Sequence, residues 1–157
     1  MLELIETRAS VVGAFATAEA LDALRPAGAY RCRVAPDEAM FVAAPAAGAA
    51  LLRDASAVMA GDADAVVIDT GDGWAVWTMA GDAVLDAFAH LSSLQAGEGY
   101  AHGEVAGVVV RVVAERSRIH LFVPAMWRDH LRARILARCP RVVSRPDPAI
   151  WDLGPSP

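Results

Sequence analysis

The sequence has no lysine, only two cysteines and no long apolar run. Because Cys32 and Cys139 share no motif, a disulfide framework and a Cys-x-x-Cys metal or redox site are both excluded. The most apolar stretch, residues 105–113, contains Arg111 and is far shorter than the about 20 residues of a transmembrane helix. The amino end also lacks the basic lead of a secretory signal. We therefore expect a cytoplasmic protein with no membrane partner.

Positive charge is scarce in the first two thirds of the chain. The net charge is −5, but residues 1–110 contain 5 arginines against 15 acidic residues, whereas residues 111–157 contain 9 arginines against 4 acidic residues. The negative field of the whole chain argues against nucleic acid as a partner. The basic carboxyl-terminal part could dock on an acidic protein surface; alternatively, its arginines coat a solvated helix face.

The composition is that of a small globular protein with a substantial core. The 157 residues are 55% hydrophobic, which fits one domain or two very small halves and excludes an intrinsically disordered chain. Apolar runs and amphipathic segments alternate in the order β-α-β-β-α-β, twice. We predict an α+β fold with two tandem ferredoxin-like βαββαβ halves, at about residues 8–70 and 71–145, within a domain of residues 1–145. Residues 146–157 then form an extended, proline-rich tail.

Similarity between two parts of the sequence supports the prediction of two tandem halves. Two segments recur in the same order, 64 and 79 residues further along, and the difference implies an insertion of 15 residues in the second half. The matching segments are residues 20–24 with 84–88 and residues 34–45 with 113–124. Chance similarity in an alanine-rich chain is the alternative. We predict that the insertion is a loop over residues 92–103, followed by a single strand over 104–113.

Proline marks the start of two predicted helices. One extends over residues 45–59, and the other begins at Pro124 and ends before Pro140, since proline at the first position of a helix leaves no hydrogen bond unmade. Trp127, Leu131 and Ile135 are four residues apart in the second helix. This spacing predicts that they share its buried face.

Several short motifs resemble the glycine-cleavage T-protein superfamily. Residues 91–102, LSSLQAGEGYAH, are similar to its passage L-x-L-x-P-G-x-x-x-Y-T, and residues 74–83, WAVWTMAGDA, are similar to its entry into a helix. The strand over residues 107–113 and the hairpin that ends in LFVP at 121–124 continue the match. The resemblance covers most of residues 10–139. In length and layout the chain is similar to the gamma subunits of heterotetrameric sarcosine oxidases.

The resemblance implies the T-protein-like folate-binding domain fold without its catalysis. Members that handle folate carry acidic residues in the strand after the inserted loop, whereas residues 108–111 here read VVVR. The folate chemistry needs a carboxylate near the reacting nitrogen. The resemblance therefore implies a non-catalytic gamma-type subunit of a flavin-dependent sarcosine oxidase-like complex, which oxidatively demethylates N-methyl amino acids and passes one-carbon units to tetrahydrofolate.

The resemblance also implies the partners. These are larger alpha and beta flavoprotein subunits, which would hold FAD, FMN, NAD and tetrahydrofolate, so that this chain itself holds no cofactor and acts in assembly. When isolated, the chain could instead associate with its own copies. We predict no catalytic residue and no metal ligand, since the four histidines and two cysteines show no metal-ligand spacing.

Two features are predicted to contact a partner. The last predicted helix carries four arginines, whose guanidinium groups can fork onto carboxylates. The tail carries apolar anchors, including a tryptophan of the kind that dominates many interfaces. Alternatively, the tail packs on its own domain. The predicted contact residues are Arg128, Arg132, Arg134, Arg138, Ile150, Trp151 and Leu153.

Two other functions stay open at this point. A free-standing folate-binding one-carbon domain would bind tetrahydrofolate at Trp77, Tyr100 and Glu104. An unrelated protein-interaction domain would use the same surfaces for a different partner. Measured folate binding distinguishes the first alternative from the subunit hypothesis, and the neighbouring genes distinguish the second.

Overall fold

The chain folds into two compact units, each built from a sheet and helices. The computed structural model describes residues 1–95 and 97–154. The seven-stranded unit contains Met1–Thr7 and Asp72–Ala149, and the four-stranded unit contains Arg8–Gly71 and the chain from Ile150 onward. Sheets and helices in both units confirm the predicted α+β class. Ala96 of the family-like motif and residues 155–157 of the predicted tail lie outside the described residues.

The elements are short throughout. The strands are β1 Leu2–Arg8, β2 Ser10–Phe15, β3 Tyr30–Ala35, β4 Glu38–Ala43, β5 Val66–Asp69, β6 Trp74–Ala80, β7 Gly99–Val105, β8 Val108–Ala114, β9 Arg118–Pro124, β10 Val142–Ser144 and β11 Ala149–Ile150. The helices are α1 Ala18–Ala23, α2 Gly48–Met59, α3 Val84–Leu91 and α4 Arg128–Arg138, with 3-10 turns at Pro45–Ala47, Gly71–Gly73 and Ala125–Trp127. Among the residues that the structure describes, no helix has the length and apolar character needed to cross a membrane.

The four-stranded unit is an antiparallel sheet with the strand order β3-β4-β2-β5. Successive residues of a strand point to opposite sides of a sheet, so every second residue of β2 and β4 faces the helices. Val12, Ala14 and Phe41 form that face, and Leu21 of α1 and Leu51 of α2 pack with them in one buried cluster. The helices thus cover one side of this sheet.

The seven-stranded unit has the strand order β10-β1-β6-β9-β8-β7, and β11 also pairs with β1. The chain's first strand, β1, lies inside this sheet, parallel to β10 and antiparallel to β6. Its core forms on one face of the sheet, where Leu4, Trp77 and Leu121 pack with Phe88 of α3 and Leu131 of α4. The two helices therefore cover the same side of the sheet.

The region predicted as a loop followed by one strand is a hairpin, so that prediction is wrong. β7 begins at Gly99, inside the predicted loop over residues 92–103, and the predicted strand over 104–113 turns back on itself. The turn residues are Ala106 and Gly107, with φ of 52° and 84°. Alanine seldom adopts a positive φ, so only one of the two residues marks the turn in the sequence.

The predicted helix after Pro124 is present, but Trp127, the first residue of its predicted buried face, is not buried. Leu131 and Ile135 are buried, whereas Trp127 is 46% exposed. Trp127 ends the 3-10 turn Ala125–Trp127, in which a turn takes three residues instead of 3.6. The spacing of four that joins the other two residues therefore does not extend back to the tryptophan.

Gly81 lies between β6 and α3, where the chain approaches the start of β1. Its φ of 135° is one that glycine adopts readily and other residues do not. A Cβ atom at this position would overlap the carbonyl oxygen of Met1. Gly81 also donates its backbone N–H to the carbonyl oxygen of Ser117, at 3.2 Å. The turn therefore needs glycine for its conformation and for the close approach of the first strand.

We expect Gly81→Ala to lower the free energy of unfolding by more than about 2 kcal/mol, because backbone strain and the overlap with Met1 add to each other. Gly73→Ala is the matched control, since nothing lies within 4 Å of its added Cβ, and it should change the same quantity by less than about 0.5 kcal/mol. Urea unfolding followed by tryptophan fluorescence measures both. Equal midpoints for the two variants would contradict this role of Gly81.

Candidate functional site

The three residues predicted to bind folate do not meet, because the sheet places them on opposite faces. Trp77 is buried on the helix side, and its indole N–H donates to the carbonyl oxygen of Arg128 at 3.1 Å. The paired residues across β8 and β9 lead from Tyr100 of β7 to Thr78, the residue next to Trp77. Neighbouring residues of a strand point to opposite sides, so Tyr100 and Glu104 lie on the other face from Trp77.

The hairpin of β7 and β8 offers little to a folate-type reaction. Arg111 extends over the indole of Trp74, with the guanidinium carbon 4.7 Å from the ring centroid, so a cation–π contact occupies this part of the face. The hairpin's one carboxylate, Glu104, is exposed and is paired with the exposed Val109. Charged groups are most effective in catalysis when they are held in a fixed orientation in a site that excludes water. Glu104 is in contact with solvent and has no such site.

A line of polar side chains, of which Thr7, Thr78 and His120 are buried, crosses the middle of the seven-stranded sheet. Thr7 Oγ1 lies 2.6 Å from Thr78 Oγ1, which lies 2.8 Å from Nδ1 of His120. Nε2 of His120 is 3.8 Å from Oε2 of Glu115, and the same carboxylate accepts a hydrogen bond from Nε of Arg118 at 2.9 Å. The line therefore joins β1, β6, β9 and the turn before β9 through side chains alone.

The order hydroxyl, imidazole, carboxylate in this line is that of an activated nucleophile. Access decides against that role, because Thr78 is only 4% exposed and His120 only 2%. A nucleophile has to reach the substrate, and this hydroxyl lies inside a sheet against a second threonine. The line is therefore a structural cross-strand network. In the described ranges 1–95 and 97–154, no three His, Cys, Asp or Glu side chains are grouped to hold a metal ion.

Arg128 and Arg132 are engaged by groups of their own unit. Arg128 lies 3.7 Å from a carboxylate oxygen of Glu6 and donates to Asp129 at 3.2 Å. The hydrogen bond to Asp129 is the main reason that the pKa of this guanidinium is raised. Arg132 donates from Nε to the hydroxyl of Ser144 at 3.1 Å. These side chains border a polar pocket of about 320 Å³ that also includes the edge of Trp77.

The other two arginines of α4 have different surroundings. Arg134 donates from Nε to the carbonyl oxygen of Ala106, at the turn of the β7–β8 hairpin, and so links α4 to that turn. Arg138 is exposed in the last turn of α4 and borders a separate pocket. The four predicted contact arginines thus do not form one row, and Arg134 serves the packing of its own unit.

The predicted anchors of the tail are not equally accessible. Trp151 is 2% exposed; its ring lies edge-on to Tyr30, with centroids 6.3 Å apart, and its backbone N–H donates to the carbonyl oxygen of Arg8 at 2.9 Å. Ile150 is exposed and Leu153 is half-buried. Trp151 is therefore taken up in the four-stranded unit, as in the alternative that the tail packs on its own domain, and only its neighbours are left for a partner.

An exposed apolar pair at the start of α4 is absent from the predicted contacts. Met126 is 84% exposed and Trp127 is 46% exposed, and the ring of Trp127 lies 5.4 Å from that of His130. We call these two residues the Met126–Trp127 surface. Methionine, tryptophan and arginine are enriched in protein interfaces, and Arg128 follows directly. The sequence did contain a sign of this surface: Met126 does not fit the spacing of four between Leu131 and Ile135, so it is not expected on the buried face of the helix.

Comparison with known proteins shows the fold. No protein-family model and no curated protein matches the sequence. Among solved structures, heterotetrameric sarcosine oxidase from Corynebacterium sp. U-96 contains a chain with a TM-score of 0.75 and 16% identity, covering 89% of this chain and 84% of that one. Aminomethyltransferase T of the glycine cleavage system from Bartonella henselae has a TM-score of 0.69 and 13% identity, and covers 91% of this chain. Our chain spans 47% of that protein.

A third structure broadens the range of functions found on this fold. The regulatory subunit of aspartate kinase from Thermus thermophilus has a TM-score of 0.52 and 12% identity, covering 88% of this chain and 97% of that one. At such identities these likenesses show the fold alone, and unrelated activities commonly share a fold. The resemblance noted in the sequence is therefore supported at the level of the fold.

We expect Thr78→Val to lower the free energy of unfolding by about 1–3 kcal/mol, because Thr7 and His120 lose a partner where water cannot replace it. For a chain of this size, the melting temperature should fall by roughly 2–12 °C. Thr78→Ser is the control: it keeps the hydroxyl but removes a methyl group, so it should be the more stable of the two variants. If packing volume alone mattered, the valine variant would be the more stable one. Calorimetric melting decides the order.

Proposed function

We propose that the chain is a non-catalytic, gamma-type subunit of a heterotetrameric, flavin-dependent sarcosine oxidase-like complex, in which it acts in assembly. The observation that carries the proposal is the likeness to a chain of heterotetrameric sarcosine oxidase, which extends over 89% of this chain and 84% of that one. The aminomethyltransferase, in contrast, is matched over only 47% of its length. The extent of the match thus favours the sarcosine oxidase chain over the aminomethyltransferase as the basis of the proposal.

The positions of the three predicted folate residues support a non-catalytic role for the chain. Trp77 is on one face of the sheet, and Tyr100 and Glu104 are on the other, so they do not fit one folate molecule. The polar line through His120 has the right groups for acid–base chemistry but no access for a substrate. Both observations leave the surface of the chain as its functional part.

The finer fold that we propose is a pair of ferredoxin-like units. In the four-stranded unit, β2, α1, β3, β4, α2 and β5 follow the order βαββαβ, and the sheet order β3-β4-β2-β5 places the first strand between the third and the fourth. In the seven-stranded unit, β6, α3, β8, β9, α4 and β10 repeat the order along the chain. There β7 is added at the edge and β1 lies between β6 and β10.

In the proposed complex, the chemistry belongs to the partners. Larger alpha and beta flavoprotein subunits would hold FAD, FMN, NAD and tetrahydrofolate, demethylate an N-methyl amino acid oxidatively and pass the one-carbon unit to tetrahydrofolate. This chain would bring none of these groups. Its contribution would be the contacts that hold the larger chains together.

The Met126–Trp127 surface is the contact that we propose for a larger subunit. A half-exposed tryptophan beside an exposed methionine leaves apolar area in water, and burying it against a partner is favourable. The neighbouring Arg128, although paired with Asp129, stays exposed at the edge of this surface. An apolar centre with a charged rim is the usual anatomy of an interface between subunits.

We expect the full chain, tagged and purified from its native source, to bring down larger chains that carry flavin and oxidise sarcosine. Trp127→Ala should lower their recovery by at least about tenfold, because a buried interface tryptophan commonly contributes 2 kcal/mol or more. Val109→Ala, at an exposed apolar residue on β8, is the matched control and should leave recovery unchanged. Absorbance of the eluted flavin measures the yield.

The two parts of this proposal can fail separately. Recovery of the native chain alone, as a monomer, would remove the subunit function. Undiminished recovery with Trp127→Ala would remove the Met126–Trp127 surface as the contact and leave the subunit function standing.

We further expect the purified chain to give no binding heat with tetrahydrofolate, since the residues for it lie on two faces of the sheet. Isothermal calorimetry makes the measurement. A binding heat that disappears in Tyr100→Ala or Glu104→Gln would instead establish the free-standing folate-binding domain.

A further inference from the structure

A second pocket of the seven-stranded unit lies where the start of β1, the start of α3 and the end of α4 meet. Its volume is about 610 Å³, within the range of about 300–1,000 Å³ in which most small-molecule sites fall. Leu2, Ala83, Ala87 and Pro140 contribute apolar walls. A pocket of this size with walls of this kind suits the apolar part of a small molecule.

Two guanidinium groups stand at the border of this pocket. Arg138 and Arg141 are both exposed, and among the described residues neither has a hydrogen bond or an ion pair. Asp82 is the one carboxylate among the lining side chains, so the two guanidinium charges outnumber the carboxylate charge. This contrasts with Arg128 and Arg132 at the smaller pocket, whose guanidinium groups are occupied by carboxylates and a hydroxyl.

The helix ends at the pocket do not reverse this balance. α3 begins there without a side-chain cap, so its first N–H groups add partial positive charge. The last carbonyl groups of α4 add partial negative charge, equivalent to roughly half an elementary charge. Since each guanidinium of Arg138 and Arg141 carries a full charge, the pocket favours an anion.

Cys139 is part of the wall and not a reactive group. Its thiol is buried and donates weakly to the carbonyl oxygen of Ala87, with the sulfur 3.8 Å from the oxygen. Burial raises the pKa of this thiol, so it stays protonated and apolar at neutral pH. A thiol of this kind behaves as a small hydrophobic side chain and leaves binding, not covalent chemistry, as the function of the pocket.

We propose that this pocket binds a small organic acid, with an apolar, ring-sized body against the walls and a carboxylate held by Arg138 and Arg141. Arginine suits this role because its planar fork donates two parallel hydrogen bonds to a carboxylate. The proposal goes beyond the assembly function and does not rest on it. It gives this chain a ligand of its own, whichever protein it contacts.

The test uses 2-naphthoate as the ligand and the full chain labelled with ¹⁵N. Titration followed by amide NMR should shift the signals around Ala83, Ala87 and Arg141. The neutral analogue 2-naphthamide should bind at least about tenfold more weakly, since it lacks the charge that strengthens hydrogen bonds to guanidinium. Equal affinities for the acid and the amide, or no shifts at these residues, would overturn the proposal.

Two variants separate the charge from the cavity. The double substitution Arg138→Gln with Arg141→Gln should weaken 2-naphthoate binding by at least about tenfold, and Arg53→Gln, at an exposed arginine on α2 of the four-stranded unit, should not. Ala83→Trp should abolish binding, because the exposed Ala83 borders the cavity and a large ring there fills it. Unchanged binding in the double variant or in Ala83→Trp would also overturn the proposal. Urea unfolding confirms that each variant is folded.

Discussion

The pairing of β6 with β9 is the constraint on which the seven-stranded unit depends. Seven consecutive pairs, from Trp74 with Pro124 to Ala80 with Arg118, run without a shift. Because paired residues share a face, this register puts Trp77 in the core under α3 and α4 and sends His120 to the opposite face. A slip of one residue would exchange the two faces and bury charge where the helices now pack.

Much of the fold could be predicted because its signals are local. A few neighbouring residues are enough to show a helix cap, a helix-starting proline or the alternation of a strand. The helices and most of the strands predicted from such signals are present. The β7–β8 hairpin could not be predicted, because its turn places an alanine, Ala106, at a positive φ that tertiary packing imposes. β1 is absent from the predicted elements, although Leu2, Glu3 and Leu4 alternate as in a strand; its partners, β6 and β10, are far along the chain.

The candidate site was less predictable than the fold, because it depends on faces and on exposure. Residue type alone made Trp77 and Tyr100 reasonable neighbours, and only the register of the paired strands shows that they lie on opposite faces. Residue type also made Trp151 a predicted contact, and its spacing made Trp127 a predicted core residue, whereas the structure buries the first and exposes the second. Both residues are tryptophans, so residue type cannot distinguish them. The backbone conformation around each one decides whether its ring is buried or exposed. The proposed acid pocket likewise joins residues from three distant segments.

The position of β1 within its sheet determines when that sheet can close during synthesis. The strands β2 to β5 of the four-stranded unit are complete once Asp69 has been made. The sheet of the seven-stranded unit needs its first strand, β1, and also β10, which ends at Ser144, so it closes only after Ser144 has been made. Until then Leu2 and Leu4 have no complete core to pack into, although the more than 130 residues between β1 and β10 have already been made.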